Sequence, residues 1–258
     1  MNKKTIIITG STRGIGLGLA REFLTLGHNV VINGRSKVKV DELVLELHKI
    51  NPGILGVAGS VVEEETHQRL ISKAIKEFGR VDIWINNAGI PQPHKRIVDL
   101  ETSHFNQLIE INIVGSIIGS KVAANAMMKQ GSGRIFNLEG FGSDGRLMDK
   151  LTLYGTSKRA INYFTKSIAN ELKDSPVQIG IIQPGMVRTE FLNINMDASS
   201  EAEMKQFEKV KKFLAEDVDI VTKAIAPRIL SCRKNYERVE FLSKFQMMGK
   251  VFRMLMAR

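Results

Sequence analysis

One stretch near the N-terminus restricts the folds open to this chain more than any other. Thr5-Ile6-Ile7-Ile8-Thr9 leads into Gly10-Ser11-Thr12-Arg13-Gly14-Ile15-Gly16, after which Ile15, Leu19, Phe23 and Leu26 recur at helical spacing as far as Gly27. The β-branched run reads as a buried strand. The periodic run reads as a helix stopped by glycine. A strand that turns through glycines into a helix offers free N–H groups and the positive end of a helix dipole at the turn, which suits a phosphate. Gly10, Ser11, Arg13, Gly14, Ile15 and Gly16 are therefore candidates for holding the pyrophosphate of a dinucleotide. The glycines are spaced Gly-x-x-x-Gly-x-Gly.

The pattern then repeats. Residues 29–33 form a second expected strand, 41–48 a charged amphipathic helix, 54–58 a third strand, 63–78 a helix and 81–85 a fourth strand ending at Asn86-Asn87-Ala88-Gly89. A long helix is expected over 105–119, a fifth strand over 133–138, a helix reaching Leu172, and a sixth strand over 177–182. Strands alternating with helices predict an α/β fold of Rossmann type, a doubly wound and mostly parallel sheet with helices on both faces. Ligands in such sheets lie beyond the carboxyl ends of the strands. The glycine turn and residues 86–89 should therefore line one crevice, which brings in Asn87, Ala88 and Gly89.

The second strand ends in Gly34-Arg35. An acid at this place grips the ribose hydroxyls of NAD, whereas a guanidinium binds a 2′-phosphate bidentately. Arg35, with Arg13 as a second cation, points to NADP(H).

Bulk composition sets outer limits. The 258 residues are 43% hydrophobic and 25% charged, an ordinary globular mixture. A single cysteine, Cys232, excludes an internal disulfide and a cysteine metal cluster, so no metal site is expected. It also fits a reducing compartment, and with no signal-peptide pattern at the start the expected location is cytoplasmic. The formal charge of +10 suits an anionic partner. Without basic-aromatic interleaving it does not argue for nucleic acid.

Tyr154-Gly155-Thr156-Ser157-Lys158 places a phenol and an ammonium four residues apart. On a helix they share one face. A cation near a phenol favours the phenolate and lowers its pKa. Such a tyrosine can hand a proton to a carbonyl oxygen. Asn112, set among Ile111, Ile113 and Val114, is a polar amide that needs a partner.

Thr9-Gly10-x-x-x-Gly14-x-Gly16, Asn86-Asn87-Ala88-Gly89 and Tyr154-x-x-x-Lys158 occur in one order over roughly residues 3–190. The ordered set resembles the short-chain dehydrogenase/reductase family, in its NADP(H)-preferring single-domain branch. The resemblance implies a carbonyl or alcohol substrate, with Tyr154 and Lys158 contacting both reaction and cofactor. It implies that Asn112, at a helix kink, supports a proton relay. Pro184, Gly185, Val187 and Thr189 match the family's Pro-Gly turn and should hold the nicotinamide carboxamide. Ser60-Val61 stands where the family more often has Asp-Val against the adenine. The family's active-site serine falls on Gly140 or Phe141, neither with a hydroxyl, and Ser143 is the nearest replacement. The 137–143 loop, Asn-Leu-Glu-Gly-Phe-Gly-Ser, locally resembles chlorophyll b reductase-like members. The missing serine leaves a second reading open, a cofactor-binding regulatory or scaffolding protein with impaired turnover.

Residues 190–215 are apolar between charges at Phe191, Leu192, Ile194, Met196, Met204 and Phe207, and are expected to form a lid over a lipophilic substrate. The expected domain covers 1–232. Residues 233–258 read as a basic amphipathic extension, seven Lys/Arg against two Glu, in place of the family's short terminal strand. That helix could pack within a homo-oligomer (dimer or tetramer), cover the pocket, or lie on an anionic membrane.

Overall fold

The computed structural model describes residues 2–192 and 200–256. Seven strands form a parallel sheet: β1 Thr5–Ile8, β2 Asn29–Gly34, β3 Ile54–Ala58, β4 Ile83–Asn86, β5 Gly133–Leu138, β6 Val177–Gln183 and β9 Glu237–Glu240, in the order β3-β2-β1-β4-β5-β6-β9. The order reverses beside β1, and a crevice opens at that switch point. Two short strands, β7 Val187–Arg188 and β8 Glu216–Asp217, pair on their own.

Helices cover both faces because the central strands are apolar on both sides. Ile6 and Ile8 of β1 pack with α1 (Gly14–Thr25), α2 (Lys37–His48) and α8 (Val218–Ser231), through Phe23, Leu43 and Ile225. Ile7 faces the other way, against α3 (Glu64–Phe78), α5 (Gly115–Gln130) and α6 (Thr152–Glu171), through Leu70, Met127 and Ala169. Alternate side chains thus feed two cores, as the strand period requires.

The single helix expected over 105–119 is interrupted. α4 (Thr102–Ile109) joins α5 through a π-helical turn, Glu110–Val114, that contains Asn112. The combined stretch Thr102–Gln130 is long and apolar enough by composition to cross a membrane. Here its inner residues, Leu108, Ala123, Ala124 and Met127, are buried in the two packing clusters beside the sheet.

The C-terminal region corrects the sequence reading. A terminal strand exists: β9 pairs with β6 from Gly180↔Glu237 to Gln183↔Glu240. The sheet therefore continues past residue 232, the expected domain end. Glu-Arg-Val-Glu holds one apolar residue, and only Val239 is buried, as suits a half-covered edge strand. The basic helix, α9 (Lys244–Met256), follows and lies against α7 (Glu201–Leu214). Of the expected lid, Ile194 and Met196 lie outside the described residues.

Candidate active site

The glycine turn is shaped by close approach. A side chain on Gly10 would meet Ala88 Cα at 2.7 Å, and one on Gly16 would meet Asn87 Nδ2 at 2.5 Å. Gly10 and Gly14 adopt positive φ, +59° and +55°. The two turns are bound together. Asn87 Nδ2 donates to the carbonyls of Thr9 and Gly10, both at 2.9 Å, and Thr9 Oγ1 accepts from the Asn87 and Ala88 N–H groups. Behind them Asn86 Nδ2 donates to Asn137 Oδ1 at 2.8 Å and to Ser120 Oγ, locking β4 to β5 and α5.

A cavity of about 2190 Å³ runs from this cradle across the carboxyl ends of the strands. Its size exceeds that of an ordinary ligand pocket, ~300–1,000 Å³, and leaves room for a dinucleotide and a substrate. Gly10, Arg13, Gly14, Ile15, Arg35, Ser60, Val61, Asn87, Ala88, Gly89, Tyr154, Lys158, Pro184, Gly185, Val187 and Thr189 all line it. The side-chain-free cradle and the helix terminus behind it fit a dinucleotide.

Two expected cofactor residues stand behind the wall instead. Ser11 is fully buried; its Oγ donates to the Ile8 carbonyl and accepts the Asn33 N–H, so it joins β1 to β2. Gly16 is buried where α1 meets the turn. Arg13 lines the cavity, but its guanidinium pairs with Glu190 at 2.7 Å, so the expected second cation for a 2′-phosphate already has a carboxylate. Lys39, missed in the sequence, lines the same end as Arg35. It sits one helical turn after Ser36, which caps α2 by accepting the Lys39 N–H.

At the inner end, Tyr154 and Lys158 share a face of α6, with Lys158 Nζ 5.7 Å from the tyrosine ring centre. Nζ donates to the Leu138 carbonyl at 3.1 Å. The expected acidic shift of the phenol is not found. Burial pushes Tyr154 above the ordinary phenol range, and burial brings Lys158 down to about 8, with Glu139 acting in the opposite sense. Both groups are deep in a low-dielectric site, which disfavours the charged form of each.

Asn112 is buried in the π-helical turn and does not line the cavity. Its side chain clips Ile90, accepting the N–H at 2.8 Å and donating to the carbonyl at 3.0 Å, and its Nδ2 also reaches Ser157 Oγ. Ser157 in turn donates to the Tyr154 carbonyl. Asn112 thereby ties the loop after β4 to α6.

Ser143 lines the cavity, yet its hydroxyl donates to Glu139 Oε2 at 3.3 Å. In this structure the proton expected to serve a substrate carbonyl is committed to a carboxylate. The place beside the Tyr154 hydroxyl belongs to Gly140: a Cβ there would lie 2.3 Å from Oη.

Sequence reasoning passed over Gln92, Glu139 and Arg238. Gln92 is fully buried; its Oε1 accepts the Tyr154 N–H and its Nε2 donates to the carbonyls of Lys95 and Lys150. Glu139 is 2% exposed and accepts from Arg238, Asn162 and Ser143. An acid closing the apolar strand Ile135-Phe136-Asn137-Leu138 was the available signal. From the 190–215 region, Phe191 meets the Tyr154 ring edge-on at 5.5 Å, and Glu203 of α7 pairs with Lys150 at 2.6 Å.

A cradle for a dinucleotide and a Tyr–Lys pair at its inner end define a class, and sequence comparison agrees with it. The short chain dehydrogenase model matches residues 4–199, and the chain belongs to that family of oxidoreductases, which work with NAD(P)(H). It is 34% identical over 259 aligned positions to the chlorophyll(ide) b reductase NOL of Arabidopsis thaliana, covering 96% of this chain and 72% of that protein. It is 31% identical to the probable chlorophyll(ide) b reductase NYC1 of the same plant, covering 93% of this chain and 51% of that one. The chain spans about half the length of the NYC1 relatives it matches. Among solved structures, ElxO with NADP bound superposes with a TM-score of 0.79 at 28% identity, covering 93% of this chain and 97% of that one.

Proposed function

We propose that the protein reduces a carbonyl of a lipophilic substrate with NADPH. The observation that carries this reading is one cavity with Arg35 at its cradle end and Tyr154 beside Lys158 at its inner end. Arg35 supplies a fork for a 2′-phosphate, and no acid closes β2 to repel it. When bound, the nicotinamide supplies hydride chemistry. The chain's own residues do the rest. Tyr154 is held protonated by burial, the form that donates to a carbonyl oxygen as negative charge develops there. In the reverse direction, alcohol oxidation, the same phenol oxygen would take the proton back. Lys158, still largely an ammonium at neutral pH, stabilises charge growing on the phenol oxygen. Asn112 fixes the turn against which the pair rests. Ser143 orders the glycine loop through Glu139. Phe141, Phe191, Leu192, Phe207 and Val210 give the substrate end an apolar wall.

NADPH and NADH titrations followed by a panel of apolar aldehydes and ketones test the reading. Arg35→Ala is expected to weaken NADPH at least tenfold and leave NADH unchanged. Equal affinity for both dinucleotides in the parent overturns the NADPH assignment. Tight NADPH binding without turnover on any carbonyl favours the scaffolding alternative, which Gly140 keeps in view.

Association is part of the same proposal. Phe245, Met248 and Phe252 form an exposed stripe on α9, Phe245 at 81%, and the helix carries Lys244, Lys250 and Arg253 with no acid. The stripe suits either a second copy of the chain or an anionic membrane, in a reducing, cytoplasm-like compartment. Sedimentation alone and with phosphatidylserine vesicles separates the two.

A further inference from the structure

The catalytic lysine poses an electrostatic difficulty. Lys158 is almost fully buried, and a buried ammonium without a counter-charge is costly. Its Nζ donates to a neutral carbonyl, that of Leu138. The residue that follows β5 is Glu139, whose side chain is fully enclosed. Three elements converge on that carboxylate. Arg238 Nη2 of β9 reaches Oε2 at 2.9 Å, Asn162 Nδ2 of α6 reaches Oε1 at 2.5 Å, and Ser143 Oγ from the glycine loop reaches Oε2 at 3.3 Å.

The surroundings of this cluster are mixed in charge. Arg238 also donates to Gln183 Oε1 at the end of β6 and pairs with Glu240 of β9 at 3.3 Å. Arg159 of α6 donates to the Ser143 carbonyl at 2.9 Å. Beside Lys158 stands Tyr154 on its own helix, and Gly89 faces both Lys158 Nζ and the amide of Asn112 from the π-helical turn; neither Tyr154 nor Asn112 carries a charge. Glu139 directly follows Leu138, whose carbonyl Lys158 holds at 3.1 Å, so its enclosed carboxylate lies where its charge favours the ammonium.

We propose that Glu139 is a positioning residue of the active site: its enclosed carboxylate, fixed by Arg238 and Asn162, is the counter-charge that retains Lys158 as an ammonium beside Tyr154, and it anchors the 140–143 loop through Ser143. Arg238 is the second member of the device, since it sets how much of the Glu139 charge reaches Lys158. The inference rests on the reading of Tyr154 and Lys158 as the reacting pair, but its electrostatic part is measured without turnover.

The test is a pH titration of Lys158 in the full chain by ¹³Cε-lysine NMR, with Lys158→Met to assign the signal. Glu139→Gln removes a negative charge and is expected to move the Lys158 midpoint below that of the parent. Arg238→Met removes a positive charge and is expected to move it upward. A purely structural role loosens the site in both variants and moves both midpoints upward, toward that of a solvated lysine. Midpoints that stay put, or that move together, overturn the proposal. If Glu139→Gln fails to fold, the Arg238→Met and Arg238→Lys pair still decides: the charge-conserving lysine must leave the midpoint near the parent value while methionine raises it. Should no carbonyl be reduced by the parent protein, opposite shifts still establish the Glu139–Lys158 coupling while the activity reading falls.

Discussion

The Tyr154 hydroxyl occupies the space in which a side chain on Gly140 would begin, with Oη 2.3 Å from the position of a Cβ at 140. The absent serine is thus not a simple gap that a hydroxyl could refill. Gly140→Ser is expected to displace the phenol and lower kcat on the order of 100-fold, since small misplacements of a reacting group carry penalties of that size. Carbonyl-dependent NADPH oxidation measures it. A serine variant faster than the parent would show that the site lacks the group rather than the room.

Tyr154→Phe keeps the ring that Phe191 packs against and removes only the proton donor. Reduction should fall by roughly 10²–10⁴ in kcat, the range for loss of a general acid. The dissociation constant for NADPH should stay within about twofold, because the cradle lies at the other end of the cavity. Loss of binding together with turnover would reassign the tyrosine to cofactor contact alone.

Gln92→Leu strips a buried junction. The N–H of Tyr154 and the carbonyls of Lys95 and Lys150 lose their partner at once. The Tyr154 N–H is buried, and orphaning such a group costs roughly 1–3 kcal/mol, so thermal unfolding should shift below the parent. Lys150, which holds a left-handed backbone at φ +63°, is the residue most exposed to the loss. An unchanged melting temperature would mean that water replaces the amide.

Lys158 gives a stability prediction with a defined pH window. Burial lowers its pKa from 10.5 to about 8 in the folded chain. Between these values the unfolded chain binds more protons, so stability at this site rises with pH across the window, and below about 8 the ammonium weighs fully against folding. Lys158→Met should therefore melt above the parent at pH 7, by a margin that shrinks as pH climbs toward 10.5. A constant difference across the range would refute the linkage.

The cradle and the Tyr–Lys pair were legible in the sequence because they are local. Glycine spacing, a β-branched run and an i, i+4 pair need no knowledge of distant contacts. What escaped notice depends on remote partners. Glu139 and Arg238 lie 99 residues apart, and neither signals the other in the sequence. β9 was missed because an edge strand needs only one buried residue, and Val239 is flanked by charges. Ser143 was assigned a role from its nearness to the missing serine, but the positive φ of Gly142 carries the loop onward and the hydroxyl ends on Glu139. Asn112, by contrast, could be flagged from the sequence as an amide that needs a partner, and it meets Ile90 from within the π-helical turn.

β9 carries Arg238, and that has a consequence for how the protein is made. The brace on Glu139 comes from a strand synthesised near the end of the chain, and α8, against which α1 packs behind the cradle, comes only shortly before it. A domain folds as a unit, so the dinucleotide cradle and the brace on Glu139 are completed together. A chain ended before β9 would lose Arg238 and the sheet edge beside β6 at once.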